Sequence, residues 1–338
     1  MRITITAIFL ISIVCISCKR TNQQGWDDLP EVTNISKLQR TEFVTTLECP
    51  INDNKNVIYA TAFQYAWKSL TEKLNSPISL TKSSSSEFLL LNQSISYKNA
   101  LMEDEYSADA EIVDDKIIAK AFFNKSLPFS SKLQKLDSPI LFDKARVVAF
   151  GMQSYDYKIA NFTEILSYKD DDHFILKLTP KDNQHEILLI KGISGIKNLS
   201  DAIKKTNNLI EAGKNEMKNV KESWKYSLNE TDTFSIPTIK FNLETNYSKI
   251  EGQEFDAKDK KYTVETAYQR TGFILNENGA VVESESRMIA ADSTSEPIQI
   301  KAKKMVFDKP FFVIIKRVQT DNPYFVIYVQ NNELLTKL

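Results

Sequence analysis

The sequence predicts an α+β domain in which helices come first and a large mixed sheet follows. Between Asn56 and about Ala110 the apolar residues recur near helical spacing. From Lys116 onward the texture changes to short apolar runs rich in β-branched and aromatic residues, separated by turn clusters. No internal repeat divides the chain, so the elements fit one α+β domain of about 300 residues.

The elements follow in order. NVIYATAFQYAWKSLTEKL, from Asn56, places Ile58, Ala62, Tyr65, Ala66 and Leu70 near helical spacing, the pattern of a largely buried helix. KSSSSE (82–87) is a loop, and helix is expected to continue to about Ala110. Strands are then expected at KIIAKAFF, RVVAFGM, FTEILSY, HFILKL and HEILLIKG, with KDDD and PKDNQ as turns between them. NLSDAIKKTNNLIEAGKNEMKNVKESWKY reads as a helical interval. The last third returns to strands at TFSIPTIKFNLE, YTVETAYQRTGFILNENG, MVFDKPFFVIIKRV and PYFVIYVQ.

The first eighteen residues point to export. Met1 and Arg2 form a short positive start, and Ile3 to Ser17 form an apolar run too short to span a bilayer comfortably. It ends in Cys15-Ile16-Ser17-Cys18, followed by Lys19 and Arg20. A small residue before a Cys at the end of such a run resembles the bacterial lipobox, although Cys15 stands where Leu is usual. Residues 1–17 are then a signal peptide and Cys18 is the acylated first residue of the mature chain. Residues 18–45 form a polar tether, and 46–338 form the folded domain. The expected location is the bacterial cell envelope, at the outer membrane or cell surface, with the lipid as the membrane contact. Only Cys49 then remains, so no internal disulfide can form and a buried core must supply stability.

Composition narrows the function classes. A chain of 338 residues that is 42% hydrophobic can build that core. A formal charge of −1, a pI near 6.3 and the lack of a basic-aromatic stretch disfavour nucleic-acid binding. With only 8 glycines there is no Gly-rich phosphate loop. The two histidines, His173 and His185, sit beside charged turns and read as exposed strand-end residues. Asp170-Asp171-Asp172 lacks the alternating ligands and closing Glu of a calcium loop and reads as a solvated turn. Cys49 has no charge cluster beside it in sequence and reads as inert. No catalytic residue, metal site or cofactor is expected.

Two C-terminal segments stand out: AYQRTGFILNENGAVVESES (267–286), and VFDKPFFVIIKR (306–317) followed by YFVIYVQNN. Together they resemble the serpins, protease inhibitors whose reactive loop inserts into their own sheet. In that family a strand ending in Glu, one residue and Gly leads into the loop hinge, which Glu277-Asn278-Gly279 matches. About thirty residues later an aromatic, a basic residue, Pro and Phe precede an apolar strand, which Phe307, Lys309, Pro310, Phe311 and Phe312 match. NVIYATAFQYAW, KAFFNKSLPF and FSIPTIKFNLETNY echo other family elements in the right order, so the resemblance spans about residues 50–332. The chain departs from the family at Ala60-Thr61-Ala62-Phe63, where Ser-Pro-x-Ser is usual, and at Gln269, where His is usual. It departs again near Pro128, where a Trp is usual, and at the degenerate closing Gly strand.

The resemblance implies a serpin-like α+β fold, with N-terminal helices packed on large mixed and antiparallel sheets and an exposed C-terminal reactive loop. The hinge would comprise Glu277, Gly279, Ala280, Val282, Ser284 and Ser286. On insertion as a strand, Ala280, Val282, Ser284 and Ser286 would turn inward, and Val281, Glu283, Glu285 and Arg287 outward. The scissile bond would lie within Ala291, Asp292, Ser293, Thr294, Ser295, Glu296, Pro297, Ile298 and Gln299. That bait has no Arg, Lys or aromatic residue, which favours an elastase-like or cysteine protease as partner. The protein would act as a monomer. A serpin-shaped binding module that does not inhibit, and an unrelated surface lipoprotein, are the alternative readings.

Overall fold

The computed structural model describes residues 29–113, 116–280 and 301–338. Its centre is a seven-stranded sheet in the order Thr163–Asp170, His173–Leu178, His185–Lys191, Phe311–Arg317, Phe325–Val329, Asn56–Ala60 and Thr41–Phe43. The inner strands are unbroken apolar runs because both faces of the sheet are covered. Ile58, Phe311, Val313 and Ile315 face the main core, whereas the alternating Val57, Tyr59, Phe312 and Ile314 face a second core. The helix Leu199–Glu216 covers that second face, burying Leu199, Ala202 and Thr206. Asn198 caps its start by accepting a hydrogen bond from the Asp201 amide at 2.8 Å. At Gly213 an added Cβ would lie 2.2 Å from the Leu166 carbonyl oxygen, so the helix approaches its neighbouring strand more closely than a side chain allows.

This sheet corrects two expectations. Asn56–Ala60 is a strand rather than the first turn of a helix, which runs instead over Ala62–Leu74. All five strand residues are buried, so no alternation marked them as a strand. Part of the expected tether 18–45 is built into the domain instead. Thr33–Asn34 pairs with Leu243–Glu244, and Thr41–Phe43 pairs with the central strand Asn56–Ala60. Glu333 accepts hydrogen bonds from the amides of Gln39 and Arg40 and the hydroxyl of Thr41, holding this polar stretch to the domain. Residues 1–28, including Cys18, lie outside the described residues.

Over the main-core side lie the helix Ala62–Leu74 and two smaller sheets. Tyr65 on that helix stacks on Tyr106 with ring centroids 3.8 Å apart, docking it against the hairpin Tyr106–Val113/Lys116–Phe123. Helix was expected to reach Ala110, but the second helix ends at Gln93 and a strand begins at Tyr106. The hairpin belongs to a five-stranded sheet in the order Ser79–Leu80, Glu254–Ala257, Lys260–Thr263, Lys116–Phe123 and Tyr106–Val113. The other small sheet is Thr33–Asn34, Ile239–Asn246 and Tyr268–Leu275. A four-stranded sheet, Lys304–Val306, Thr233–Pro237, Ala149–Met152 and Gln134–Lys135, closes one end. The α+β class read from the sequence is the class observed. Among the described residues no helix is long and apolar enough to cross a membrane.

Candidate functional site

The Tyr268–Leu275 strand pairs along one side with Ile239–Asn246, and its other edge carries no strand among the described residues. The Lys116–Phe123 strand pairs fully with Tyr106–Val113, but its second edge is paired only at Lys116, with Thr263. These two edges face a common cavity of about 120 Å3, lined by residues 121–125 on one side and 270–274 on the other. Ala60, Ile315 and Phe325 also line it. Two strand edges beside one apolar-lined gap are a place where an extended segment can find backbone partners on both sides.

Ala280, predicted as a hinge residue, is buried and lines the same cavity. It is held there by its neighbours. Gly279–Ala280 pairs antiparallel with Leu127–Pro128, the Phe129 amide donates to the Asn278 carbonyl at 3.1 Å, and the Leu133 amide donates to the Glu277 carbonyl at 2.8 Å. The Glu277 carboxylate faces Lys132 at 3.5 Å. Gly279 has φ +123°, and a Cβ there would lie 2.5 Å from the Leu127 carbonyl oxygen and 2.8 Å from Pro128 Cα. Only glycine fits both the backbone conformation and the space. The structure thus brings Glu277, Gly279 and Ala280 together at the end of the cleft, against Pro128. Val282, Ser284, Ser286 and the bait 291–299 lie outside the described residues.

Immediately after residue 300 the chain is fastened by buried charge. Lys303 is fully buried. Its Nζ lies 2.8 Å from Asp232 Oδ2 with neither side chain exposed, and donates to the Trp224 carbonyl at 2.9 Å. Its amide donates to Asp232 Oδ1 at 2.8 Å, and its ammonium sits 5.2 Å from the Trp224 ring centroid. Parity could have revealed this: Lys303 alternates with the buried Met305 and Phe307 on the inward side of the strand.

The acidic turn has a structural role beyond the solvated reading. Asp171 Oδ1 accepts from the Lys304 amide at 2.9 Å and from the Tyr168 hydroxyl at 2.6 Å. Asp172 accepts from Lys309 and Lys191, at 2.7 and 2.9 Å, and these two ammonium groups pull its pKa down to about 2. Lys191 is buried and also reaches Asp308 at 2.7 Å. Distant in sequence, these partners form one clamp on residues 304–309, which spacing alone could not reveal.

The histidines do not meet. His173 is exposed at its strand end, as expected, 2.7 Å from Asp170. His185 is not exposed: it is 3% accessible, between Asp182 at 2.7 Å and Glu105 at 3.2 Å. Glu105 gathers Lys125 and Arg317 as well, so His185 belongs to a charge cluster joining four segments. Cys49 is buried beside the hydroxyls of Thr45 and Thr46. Among the described residues no cluster of His, Cys, Asp and Glu could hold a metal ion.

No family model matches the chain, and no curated protein matches it. Among solved structures it is similar to a thermophilic serpin, tengpin, in the native state, at 13% identity and TM-score 0.37, covering 64% of this chain and 55% of that one. It is similar to native protease nexin-1 with heparin at 10% identity and TM-score 0.39, covering 64% and 56%. A thyroxine-binding globulin complex with thyroxine is matched at 14% identity and TM-score 0.34, covering 63% and 55%. The chain spans just over half the length of these structures' chains.

Proposed function

We propose that this chain is a serpin-like inhibitor of extracellular proteases, in which the segment after Ala280 enters the cleft between Lys116–Phe123 and Tyr268–Leu275. The observation that carries this reading is the position of Ala280. It belongs to the expected hinge, it lines the cleft, and the cleft's two walls are strand edges. A segment entering there gains backbone hydrogen bonds on both sides, each contributing about 0.5–1.5 kcal/mol. The alternation Ala280, Val282, Ser284 and Ser286 supplies small side chains for the inward face, and Glu283 and Glu285 supply charge for the wet face.

The chemistry belongs to the target. Its serine or cysteine nucleophile attacks the carbonyl carbon of a bond within 291–299, the peptide C–N bond breaks, and the freed amine leaves on residue 301's side of the cut. The N-terminal part of the segment remains joined to the target as an acyl-enzyme and is drawn into the cleft. The absence of Arg, Lys and aromatic residues from ADSTSEPIQ favours an elastase-like or cysteine protease. Acylation at Cys18 would hold the inhibitor at the cell envelope. Incubation with a panel of such proteases tests the reading: an SDS-stable complex that Gly279→Val and Ser284→Arg abolish supports it. Turnover of the bait without any complex would instead favour a binding module of the same shape.

A further inference from the structure

We propose that residues 29–34 are an intramolecular strap that seals the open end of the cleft. Leu29 is part of the lining of the cavity between the two strand edges. The next residue is latched: Asn242 Nδ2 donates to the Pro30 carbonyl at 2.8 Å, and Asn242 Oδ1 accepts from Arg270 Nε at 3.0 Å. Arg270 itself lines the cleft, so one buried amide ties the strap to the wall it covers. Thr33–Asn34 then adds to the same small sheet, parallel to Leu243–Glu244.

Beyond Asn34 the chain is fixed by Glu333, through the Gln39 and Arg40 amides and the Thr41 hydroxyl. Before Thr33, Leu29 lies at the cleft and the Pro30 carbonyl accepts from Asn242. With Leu29 seated, a strand entering the cleft must first displace it. The seal stands on this geometry alone; its consequence, a brake on loop entry, rests on the insertion reading.

The test uses the full chain and its Leu29→Asp and Leu29→Ala variants, with Val32→Asp as the control, because Val32 is exposed and does not line the cleft. Hydrogen exchange is read at the amides of residues 121–125 and 270–274, with 311–315 in the central sheet as internal reference. Lifting the strap should speed exchange at both cleft edges tenfold or more, leaving 311–315 and the control unchanged. Unchanged edge exchange in both Leu29 variants overturns the strap. A synthetic peptide of residues 280–290 is then offered to the same proteins. Faster uptake by Leu29→Asp supports the brake. Faster edge exchange with no uptake by any variant keeps the seal and removes the insertion reading instead.

Discussion

Lys303 and Asp232 form an ion pair 2.8 Å apart with no exposed side-chain surface on either partner. It fastens the chain immediately after residues 281–300, and the hinge at Gly279 fastens it immediately before. A buried pair of this kind contributes little over an apolar substitute, but losing one partner leaves the other buried and uncompensated. Asp232→Ala should therefore destabilise the domain by about 3–5 kcal/mol in denaturant unfolding. Because Asp232 also accepts the Lys303 amide, the double variant Asp232→Asn with Lys303→Met should recover most of that loss. A double variant no more stable than Asp232→Ala would show that the charges are not the cause.

Glu105 gives the fold a defined acid limit. Burial would raise its pKa, but the Lys125 hydrogen bond, the Met102 amide and the charges of Lys125 and Arg317 outweigh it and hold the value at about 2. A depressed carboxylate stabilises the fold fully above its unfolded value near 4.5 and loses that contribution as pH falls toward 2. The loss should amount to roughly 3 kcal/mol across that window. Stability measured against pH should show this slope in the native sequence. Glu105→Gln should flatten it and be less stable at neutral pH.

Gly279 permits the hinge to pass under Leu127 and Pro128. Gly279→Ala imposes a strained φ and a contact of 2.5 Å with a backbone oxygen, so the turn must shift. A cost of about 1–3 kcal/mol in unfolding is expected. In the Lys132–Glu277 contact beside it the lysine is largely exposed and the pair contributes little, so Lys132→Ala should change stability by less than about 1 kcal/mol.

The proposed acylation at Cys18 can be tested apart from the fold. Because the apolar run ends in Ser17-Cys18, Cys18→Ala should move the protein out of the membrane fraction or stall its processing. A variant that fractionates like the native sequence would refute the lipoprotein assignment.

The parts of the molecule that sequence made legible are those where one rule acted alone. The strands HFILKL and HEILLIKG were plain as apolar runs, and Glu277-Asn278-Gly279 was found because the resemblance fixes that spacing. Asn56–Ala60 was misread because burial on both faces erases the period that separates strand from helix. Residues 33–45 looked like a tether because their polar groups bond to Glu333 and Asn331, some 290 residues away. His185 and Asp171 were assigned to solvent for the same reason: their partners are remote in sequence, and a charge beside a turn is exposed unless something distant covers it. The cleft is a relation between two strand edges, which a linear pattern cannot express.

The central claim is that the segment after Ala280 joins the sheet once it is cut. The most direct measurement is the melting temperature of protein cleaved within 291–299, compared with the intact chain. A full added strand contributes many kcal/mol of hydrogen bonding and burial, which at about 2–4 °C per kcal/mol should raise the melting temperature by tens of degrees. Ser284→Arg would bury an unpaired charge in that strand and should abolish the rise. A cleaved sample that melts at the temperature of the intact protein would contradict the account.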